Sequence, residues 1–266
     1  MALTMAKARE YLLASQHRIG RDAYSVLSAL LEGDLAPERQ LVDLRARTTF
    51  IEDFLAAQVD LRFSSTAGSG TGNAALTTVA SALGGMATLK SASDNGTHAA
   101  NNSSVTFDQV NYKASQGGLL IEVRAKLDVL TSPYLFIGFT DTISTTVESP
   151  IYMNAAVIDS DATDACGVMF DTAATVDKWT VGGVKQDTDT DPLISGLAPT
   201  ADTFFTVRAE VDSGGGVTGY IDGVSIGYVA NAVRTTIALT PTIVIGNNTA
   251  AQHILTLDYV AVQASR

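Results

Sequence analysis

The segment Leu119–Leu127, with the sequence LLIEVRAKL, indicates the fold of this chain more clearly than any other stretch. Apolar residues occupy every second position of it, and the charged residues Glu122, Arg124 and Lys126 stand between them. Because successive side chains of a β-strand point to opposite faces, this pattern predicts a strand with one face in a core and one toward solvent. A strand of this kind needs a sheet and a second packed layer around it.

Similar segments, separated by turn-forming residues, follow through the C-terminal part of the chain. Residues 204–212 alternate again, and Asp222-Gly223 between two apolar segments is a typical two-residue hairpin turn. Residues 178–185, which contain Gly182-Gly183, predict another hairpin. Further strands are predicted at 105–112, 134–141, 151–159, 167–171, 217–221, 224–228, 237–246 and 253–263. Many short strands without a helical pattern between them predict a mainly β sandwich or jelly roll over residues 105–266.

The first 62 residues show a different periodicity. Apolar residues recur every seven positions from Met5 to Val26, and Pro37 stands where a second helix would begin. Polar residues interrupt this repeat, so a coiled coil and an amphipathic helix packed on a neighbour both remain open. We expect a short N-terminal α-helical segment, extending to residue 55, that acts as an assembly anchor over residues 1–62. Its candidate contact residues are Leu12, Ile19, Leu41, Leu44, Phe50, Ile51 and Phe54.

Residues 63–104 connect the two parts and have an unusual composition. From residue 64 onward the segment carries two charged residues, Lys90 and Asp94, and is rich in Ser, Thr, Ala, Gly and Asn. Such a composition is typical of linkers, but its low charge is unlike that of a freely solvated tail. We therefore predict an extended arm that runs over the surface of a partner.

Charge and composition exclude several classes of protein. The net charge is −11 and the isoelectric point is about 4.6, so the chain repels nucleic-acid phosphates. No apolar stretch approaches the roughly 18 residues of a membrane span, and Lys7, Arg9 and Glu10 interrupt any signal peptide. The single cysteine, Cys166, excludes an internal disulfide and is expected to be buried. We expect a protein made in a reducing cytoplasm that binds neither nucleic acid nor membrane.

Three C-terminal segments carry a resemblance to a known family. Residues 205–212, the Tyr-Ile-Asp-Gly turn at 220–223 and residues 255–260 resemble the C-terminal half of concanavalin A-like (laminin-G-like) sandwiches. The resemblance covers residues 105–266 and implies a concanavalin A-like jelly roll. Similar sandwiches, after a lead-in rich in Ala, Thr and Gly, are common in head decoration, head fibre and tail fibre proteins of tailed bacteriophages. The resemblance thus implies a virion location, capsid or other virion proteins as partners, and a homotrimer.

The catalytic motifs expected of an enzyme on such a fold are missing from the sequence. A glycoside hydrolase needs two carboxylates across a cleft, and the laminarinase-like family carries them in an E-x-D-x-E strand. This chain has no such run, and its glutamates after residue 62 are isolated: Glu122, Glu148 and Glu210. Its three histidines lie far apart, and no zinc-protease, nucleophile-elbow or nucleotide-loop motif is present. We expect no catalytic residues and no enzymatic activity.

The residues themselves leave two candidate ligands to consider, a calcium ion and a glycan. Calcium binds clustered carboxylates, and two acidic runs could supply them: Asp187, Asp189 and Asp191, and the slightly favoured run Asp159, Asp161 and Asp164. The alternative is a solvated acidic loop, since the glycine and the distal glutamate of an EF-hand are absent. A host surface glycan would need an exposed aromatic ring, for which Trp179 is the best candidate unless it fills the core.

These observations predict a virion structural protein, a capsid decoration or head-spike accessory protein whose N-terminal region anchors it while the sandwich projects outward. The alternative is a glycan- or receptor-binding, lectin-like fibre module on the same fold. A polysaccharide-degrading enzyme is a third interpretation, which the missing carboxylate run disfavours.

Overall fold

The computed structural model describes residues 47–55, 63–80, 82, 84–94, 102–107, 111–143 and 149–265. The helices predicted before residue 47 and four anchor residues lie outside these ranges: Leu12, Ile19, Leu41 and Leu44. The described residues form one 3-10 turn (Ala114–Gln116) and seventeen strands. In chain order they are β1 (Arg47–Glu52), β2 (Phe63–Ala67), β3 (Ala74–Thr78), β4 (Ala87–Lys90), β5 (Ser103–Phe107), β6 (Leu119–Leu127), β7 (Pro133–Thr140), β8 (Ile151–Asn154), β9 (Val157–Ser160), β10 (Asp164–Asp171), β11 (Trp179–Lys185), β12 (Leu193–Ile194), β13 (Phe205–Val211), β14 (Val217–Ile221), β15 (Val224–Val229), β16 (Thr240–Asn247) and β17 (Ile254–Ser265).

These strands form two large sheets and one small one. Sheet A has the order β15-β14-β13-β6-β17-β4-β3, with β1 also paired to β17. Sheet B has the order β12-β11-β10-β7-β16-β5-β2, and β8 and β9 form a separate hairpin. The central strands β6 and β7 each pair with strands distant in sequence, as the crossing connections of a jelly roll require. The mainly β sandwich predicted from the sequence is confirmed.

The main core lies between the two sheets. Leu119, Ile121 and Val123 of β6 are buried in the same apolar cluster as Leu135 and Ile137 of β7. Burial along β6 alternates at every residue, as its sequence predicted. Fully burying one such aliphatic side chain contributes about 1.5–3 kcal/mol, so each of these five residues stabilises the fold.

Sheet B is covered on its other face as well. The β8–β9 hairpin contributes Ile151, Met153 and Ile158 to a second core, which also contains Tyr134 and Phe136 of β7. All residues of β7, β10 and β16 are consequently buried. Within the described ranges the outer face of sheet A has no such cover, because its outward residues on β6 and β13 are half exposed. Sheet A therefore presents the open face of the sandwich.

The described residues of the segment 63–104 do not form the arm that their composition predicted. β2 and β5 lie in sheet B, while β3 and β4 lie in sheet A, so this segment completes one side of the sandwich. β4 pairs with β17, and its Ala87 and Leu89 are fully buried in the main core. The segment therefore belongs to the two sheets of the sandwich, and the predicted domain boundary at residue 105 is wrong.

The helix predicted to extend to residue 55 is also wrong where the structure describes it. Residues 47–52 form strand β1, and Phe50 and Phe54 are buried in the main core. The Phe50 ring lies 5.1 Å from that of Phe63 and 5.4 Å from that of Phe107, while Ile51 is 63% exposed. Phe50 and Phe54 therefore belong to the sandwich and are not available as anchor contacts. β-branched and aromatic residues suit a strand, and pairing with β17 overrides the apparent helical stripe.

The second predicted hairpin is a single strand. Gly182 and Gly183 lie within β11. Glycine is needed at both positions because neighbouring groups occupy the space that a side chain would take. A Cβ atom at Gly182 would lie 2.2 Å from Ile158 Cδ1, and one at Gly183 would lie 2.4 Å from the Ala232 carbonyl oxygen. The Asp222-Gly223 turn, in contrast, is confirmed: it joins β14 to β15 with φ angles of 50° and 78°.

Candidate functional site

The outer face of sheet A carries a row of polar side chains across its central strands. Arg208 of β13 stands directly opposite Glu122 of β6 on one side and Tyr220 of β14 on the other. Glu210 follows two positions after Arg208, on the same face. Antiparallel pairing therefore brings together four residues that three separate segments of the chain supply.

Arg208 connects this group. Its Nε lies 3.1 Å from Glu210 Oε1, and its Nη1 lies 3.8 Å from Glu122 Oε2. The guanidinium carbon is 4.1 Å from the centre of the Tyr220 ring, a cation–π contact, and the Tyr220 hydroxyl donates to Glu210 Oε2 at 3.1 Å. Each side chain is thus held in place by at least one neighbour while part of it stays exposed.

Tyr259 of β17 extends the group on its other side. Its hydroxyl donates to Glu122 Oε1 at 2.7 Å. Burial, followed by the hydrogen bond to Glu122, raises the pKa of Tyr259 to about 12. The phenol therefore remains a hydrogen-bond donor at neutral pH. Glu122, Arg208, Glu210, Tyr220 and Tyr259 together are called the sheet-A polar network below.

A second group lies beside this network on the same sheet. Arg124 forms an ion pair with Asp258, and its guanidinium carbon is 4.4 Å from the centre of the Phe204 ring. Lys126 Nζ lies 2.5 Å from Asp202 Oδ1. Exposed ion pairs contribute only about 0.2–1 kcal/mol each, so these contacts orient side chains more than they stabilise the fold.

The network offers two kinds of chemistry. Carboxylates, a guanidinium group and phenols can donate and accept hydrogen bonds with the hydroxyl groups of a polar ligand. Glu122 and Glu210 are diagonal neighbours on adjacent strands, about 7–8 Å apart at Cα. Paired carboxylates are also the catalytic groups of most glycosidases. The pair is not apparent in the sequence, because the two carboxylates lie on different strands and meet only through strand pairing.

Trp179, the predicted glycan-binding residue, is fully buried. Its ring lies in the main core, 5.7 Å from the Phe170 ring and 5.1 Å from the Phe205 ring. A sugar cannot reach it without opening the sandwich. Trp179 fills the core, which is the alternative that the sequence left open.

The three aspartates of the predicted calcium site differ in burial. Asp164 is fully buried, and its Oδ2 accepts hydrogen bonds from Arg234 Nε at 2.7 Å and Nη2 at 2.5 Å. Asp159 is half buried and Asp161 is exposed. Across the ranges that the structure describes, no group of three or more His, Cys, Asp or Glu side chains has the arrangement of a metal site. Asp164 serves as the buried partner of Arg234.

Cys166 is fully buried, as expected from the sequence. Burial raises the pKa of its thiol, so the group stays protonated and unreactive at neutral pH.

In the described part of the chain, no helix has the length and apolar character needed to cross a membrane.

Comparison with known proteins gives the fold. No family model matches the chain, and no curated protein matches it. A lichenase from a mouse hindgut metagenome aligns with a TM-score of 0.54 at 14% identity, covering 81% of this chain and 98% of that one. Peanut lectin aligns with a TM-score of 0.51 at 10% identity, covering 82% and 97%. A Shewanella oneidensis protein of unknown function aligns with a TM-score of 0.51 at 12% identity, covering 87% and 95%.

These matches correct one prediction from the sequence. We expected no enzymatic activity, but glycosidases, including the lichenase and a Bacillus licheniformis β-glucanase, share this fold with lectins. Absence of one carboxylate run therefore does not exclude catalysis. At 10–14% identity the likeness shows the fold and leaves the ligand open. The chain has the concanavalin A-like jelly-roll fold, as the sequence resemblance predicted.

Proposed function

We propose that this chain is a carbohydrate-binding module whose binding surface is the outer face of sheet A. The observation that carries the proposal is the sheet-A polar network, which is half exposed in the centre of that face. In the part of the chain that the structure describes, the second core covers the outer face of sheet B around β7, so this face offers no comparable surface there. The occurrence of lectins among proteins of this fold supports the same conclusion.

The network suits an extended glycan. Its donors and acceptors are spread over four neighbouring strands in an open sheet face, whereas small ligands usually bind in concave pockets. Glu122 and Glu210 can accept hydrogen bonds from sugar hydroxyls, and Tyr220 and Tyr259 can accept or donate. Arg208 keeps both carboxylates in position, so little side-chain freedom is lost when a ligand binds.

The test is glycan-array screening of the full chain, followed by calorimetry with the polysaccharide that gives the strongest signal. Glu122→Gln and Arg208→Met should each weaken binding at least tenfold. Asp177→Asn, which changes an exposed carboxylate outside sheet A, should leave binding unchanged. Binding that persists in both network variants would show that the surface is wrong. Absence of binding to any glycan would refute the proposal.

A second candidate function is glycoside cleavage at the same surface. It is favoured by the diagonal placement of Glu122 and Glu210 and by the glycosidases that share the fold. Both carboxylates already accept hydrogen bonds from Arg208 or a tyrosine, an arrangement that suits binding better than proton donation. Release of reducing sugar from a bound polysaccharide, abolished by Glu122→Gln and by Glu210→Gln, would favour cleavage over binding alone.

The virion location also remains a proposal, and the resemblance to phage decoration and fibre proteins supports it. On this proposal the module is displayed on a capsid or fibre as a homotrimer and meets glycans of the host surface. Stoichiometric, symmetric copies of the chain in purified particles would support it. Particles that assemble and infect normally without the chain bound would contradict it.

A further inference from the structure

A second group of polar residues lies where the loop after β6 meets the loop before β17. The backbone N–H of Asn248 donates to the Ser132 carbonyl at 2.8 Å, and the N–H of Ile254 donates to Asp128 Oδ1 at 3.0 Å. These contacts bring three side chains together: Asp128, Ser132 and His253. None of the three belongs to the sheet-A polar network.

The three side chains are arranged in the order of a nucleophile, a base and an orienting acid. His253 Nε2 lies 3.4 Å from Ser132 Oγ, and His253 Nδ1 lies 4.0 Å from Asp128 Oδ1. Such distances are often longer in unliganded sites than in the reacting complex. We propose that Ser132, His253 and Asp128 form a nucleophilic site that cleaves small carboxylic esters.

The hydrogen bonds around Ser132 direct its proton toward the histidine. The Thr249 hydroxyl donates to Ser132 Oγ at 2.6 Å, which leaves the proton of Ser132 free for His253 Nε2. Among the described residues His253 Nδ1 has no hydrogen-bond partner, and the carboxylate of Asp128 faces it. That carboxylate favours the tautomer with the proton on Nδ1, so Nε2 can accept.

The surroundings keep the imidazole neutral and fixed. The His253 side chain is fully buried, and this burial lowers its pKa, although Asp128 acts in the opposite direction. Its backbone N–H donates to Ser91 Oγ at 2.8 Å, and its carbonyl accepts from the Ser91 N–H at 3.0 Å. A neutral imidazole held in one orientation is the form that a general base requires.

Ser132 itself has the backbone conformation of a constrained position. Its φ angle of 69° is uncommon for a residue with a side chain, and such outliers cluster at functional sites. Ser132 is nearly buried, with 9% of the residue exposed. This small exposed area favours short acyl groups over long acyl chains.

The reaction balances with the ester and water as the reactants. Ser132 Oγ attacks the ester carbonyl carbon while its proton passes to His253 Nε2. The bond from that carbon to the alkoxy oxygen then breaks, and the departing alcohol takes the proton from Nε2. Water next attacks the acyl-serine and gives a proton to Nε2. The bond between the acyl carbon and Oγ breaks, Ser132 recovers its proton, and a carboxylic acid leaves.

The test uses the full chain with two small probes, p-nitrophenyl acetate and diisopropyl fluorophosphate. Wild type should hydrolyse the ester and gain one phosphoryl adduct, which peptide mass spectrometry assigns to Ser132. His253→Gln should lower both rates by about 100-fold or more. Ser225→Ala, which alters an exposed serine of β15, should match wild type.

Two variants at Ser132 separate loss of the nucleophile from loss of the fold. Ser132→Ala removes the hydroxyl, and Ser132→Gly also removes it while relieving the positive φ angle. Both should lose ester hydrolysis and the adduct, and Ser132→Gly should melt at or near the wild-type temperature. No adduct on wild type, or an equal adduct on Ser132→Gly, would overturn the proposal. Glycan binding at sheet A is independent of either result.

Discussion

Arg208 of β13 lies directly opposite Glu122 of β6, with its Nη1 atom 3.8 Å from Glu122 Oε2. The two side chains are 29% and 28% exposed, so water still screens their attraction. This pair is the centre of the sheet-A polar network. The coupling energy between the two side chains distinguishes a network that stabilises the fold from one that presents side chains to a ligand.

We predict that a double-mutant cycle with Arg208→Met and Glu122→Gln gives a coupling energy of about 0.5–1 kcal/mol. The long distance and partial exposure of the pair are the reasons for this small value. Urea unfolding of the four proteins measures it. A coupling above about 3 kcal/mol, which is the range of buried pairs, would indicate a structural network instead.

Tyr259 should make stability depend on pH in the alkaline range. Its pKa is raised from 10.0 to about 12, so the folded state favours the protonated phenol. The stability contributed is fully present below pH 10.0 and is lost as the pH rises toward about 12.

Comparing urea unfolding of wild type and Tyr259→Phe across that range isolates this residue from the other tyrosines. The stability of wild type should fall relative to the variant as the pH rises. Parallel curves for the two proteins would contradict the prediction. Glu122→Gln should lower the pKa of Tyr259 toward its ordinary value, because the hydrogen bond to the carboxylate is one of its causes.

Gly182→Ala should destabilise the protein by about 1–3 kcal/mol. The new Cβ atom would lie 2.2 Å from Ile158 Cδ1, so the Ile158 side chain must leave its present position in the second core. The matched control is Gly196→Ala, because nothing lies within 4 Å of a Cβ atom at that exposed position. Thermal melting compares the two variants. Adding Ile158→Val, which removes the Cδ1 atom, should restore part of the stability, and a failure to do so would contradict this packing.

Asp164→Asn should destabilise the protein by about 1–3 kcal/mol, because the buried carboxylate accepts three hydrogen bonds from Arg234. Asp161→Asn, three residues earlier and exposed, should change stability by less than about 0.5 kcal/mol. Denaturant unfolding of both variants provides the measurement. Equal effects would show that the ion pair with Arg234 does not distinguish Asp164 from its neighbours.

The sequence was most informative where structure depends on nearby residues. Strand β6 begins and ends at the predicted residues, and its inward and outward faces agree with the alternation of its sequence. The Asp222-Gly223 turn was also correctly predicted, since two residues that tolerate positive φ angles are sufficient to specify it. The fold class followed from many such segments taken together.

Prediction failed where a segment acquires its structure from a distant partner. The apolar pattern around Phe50 is compatible with an amphipathic helix or with a strand. The segment forms a strand because β1 pairs with β17. The segment 63–104 looked like a linker because its small, uncharged residues are equally suited to the interior of a sandwich. Gly182-Gly183 looked like a turn because the sequence does not show that Ile158 fills the space beside Gly182 and that Ala232 fills the space beside Gly183.

The sequence by itself determined the alternating strands, the tight turns, the acidic character and hence the jelly-roll class of this protein. Only the tertiary structure decided which residues share a surface. Glu122 meets Arg208 through strand pairing, and Ser132 meets His253 through the contact of two loops. Periodicity describes which face of a strand a residue occupies, but the neighbour across the strand is set by register and topology. The candidate sites of this chain are made of such neighbours.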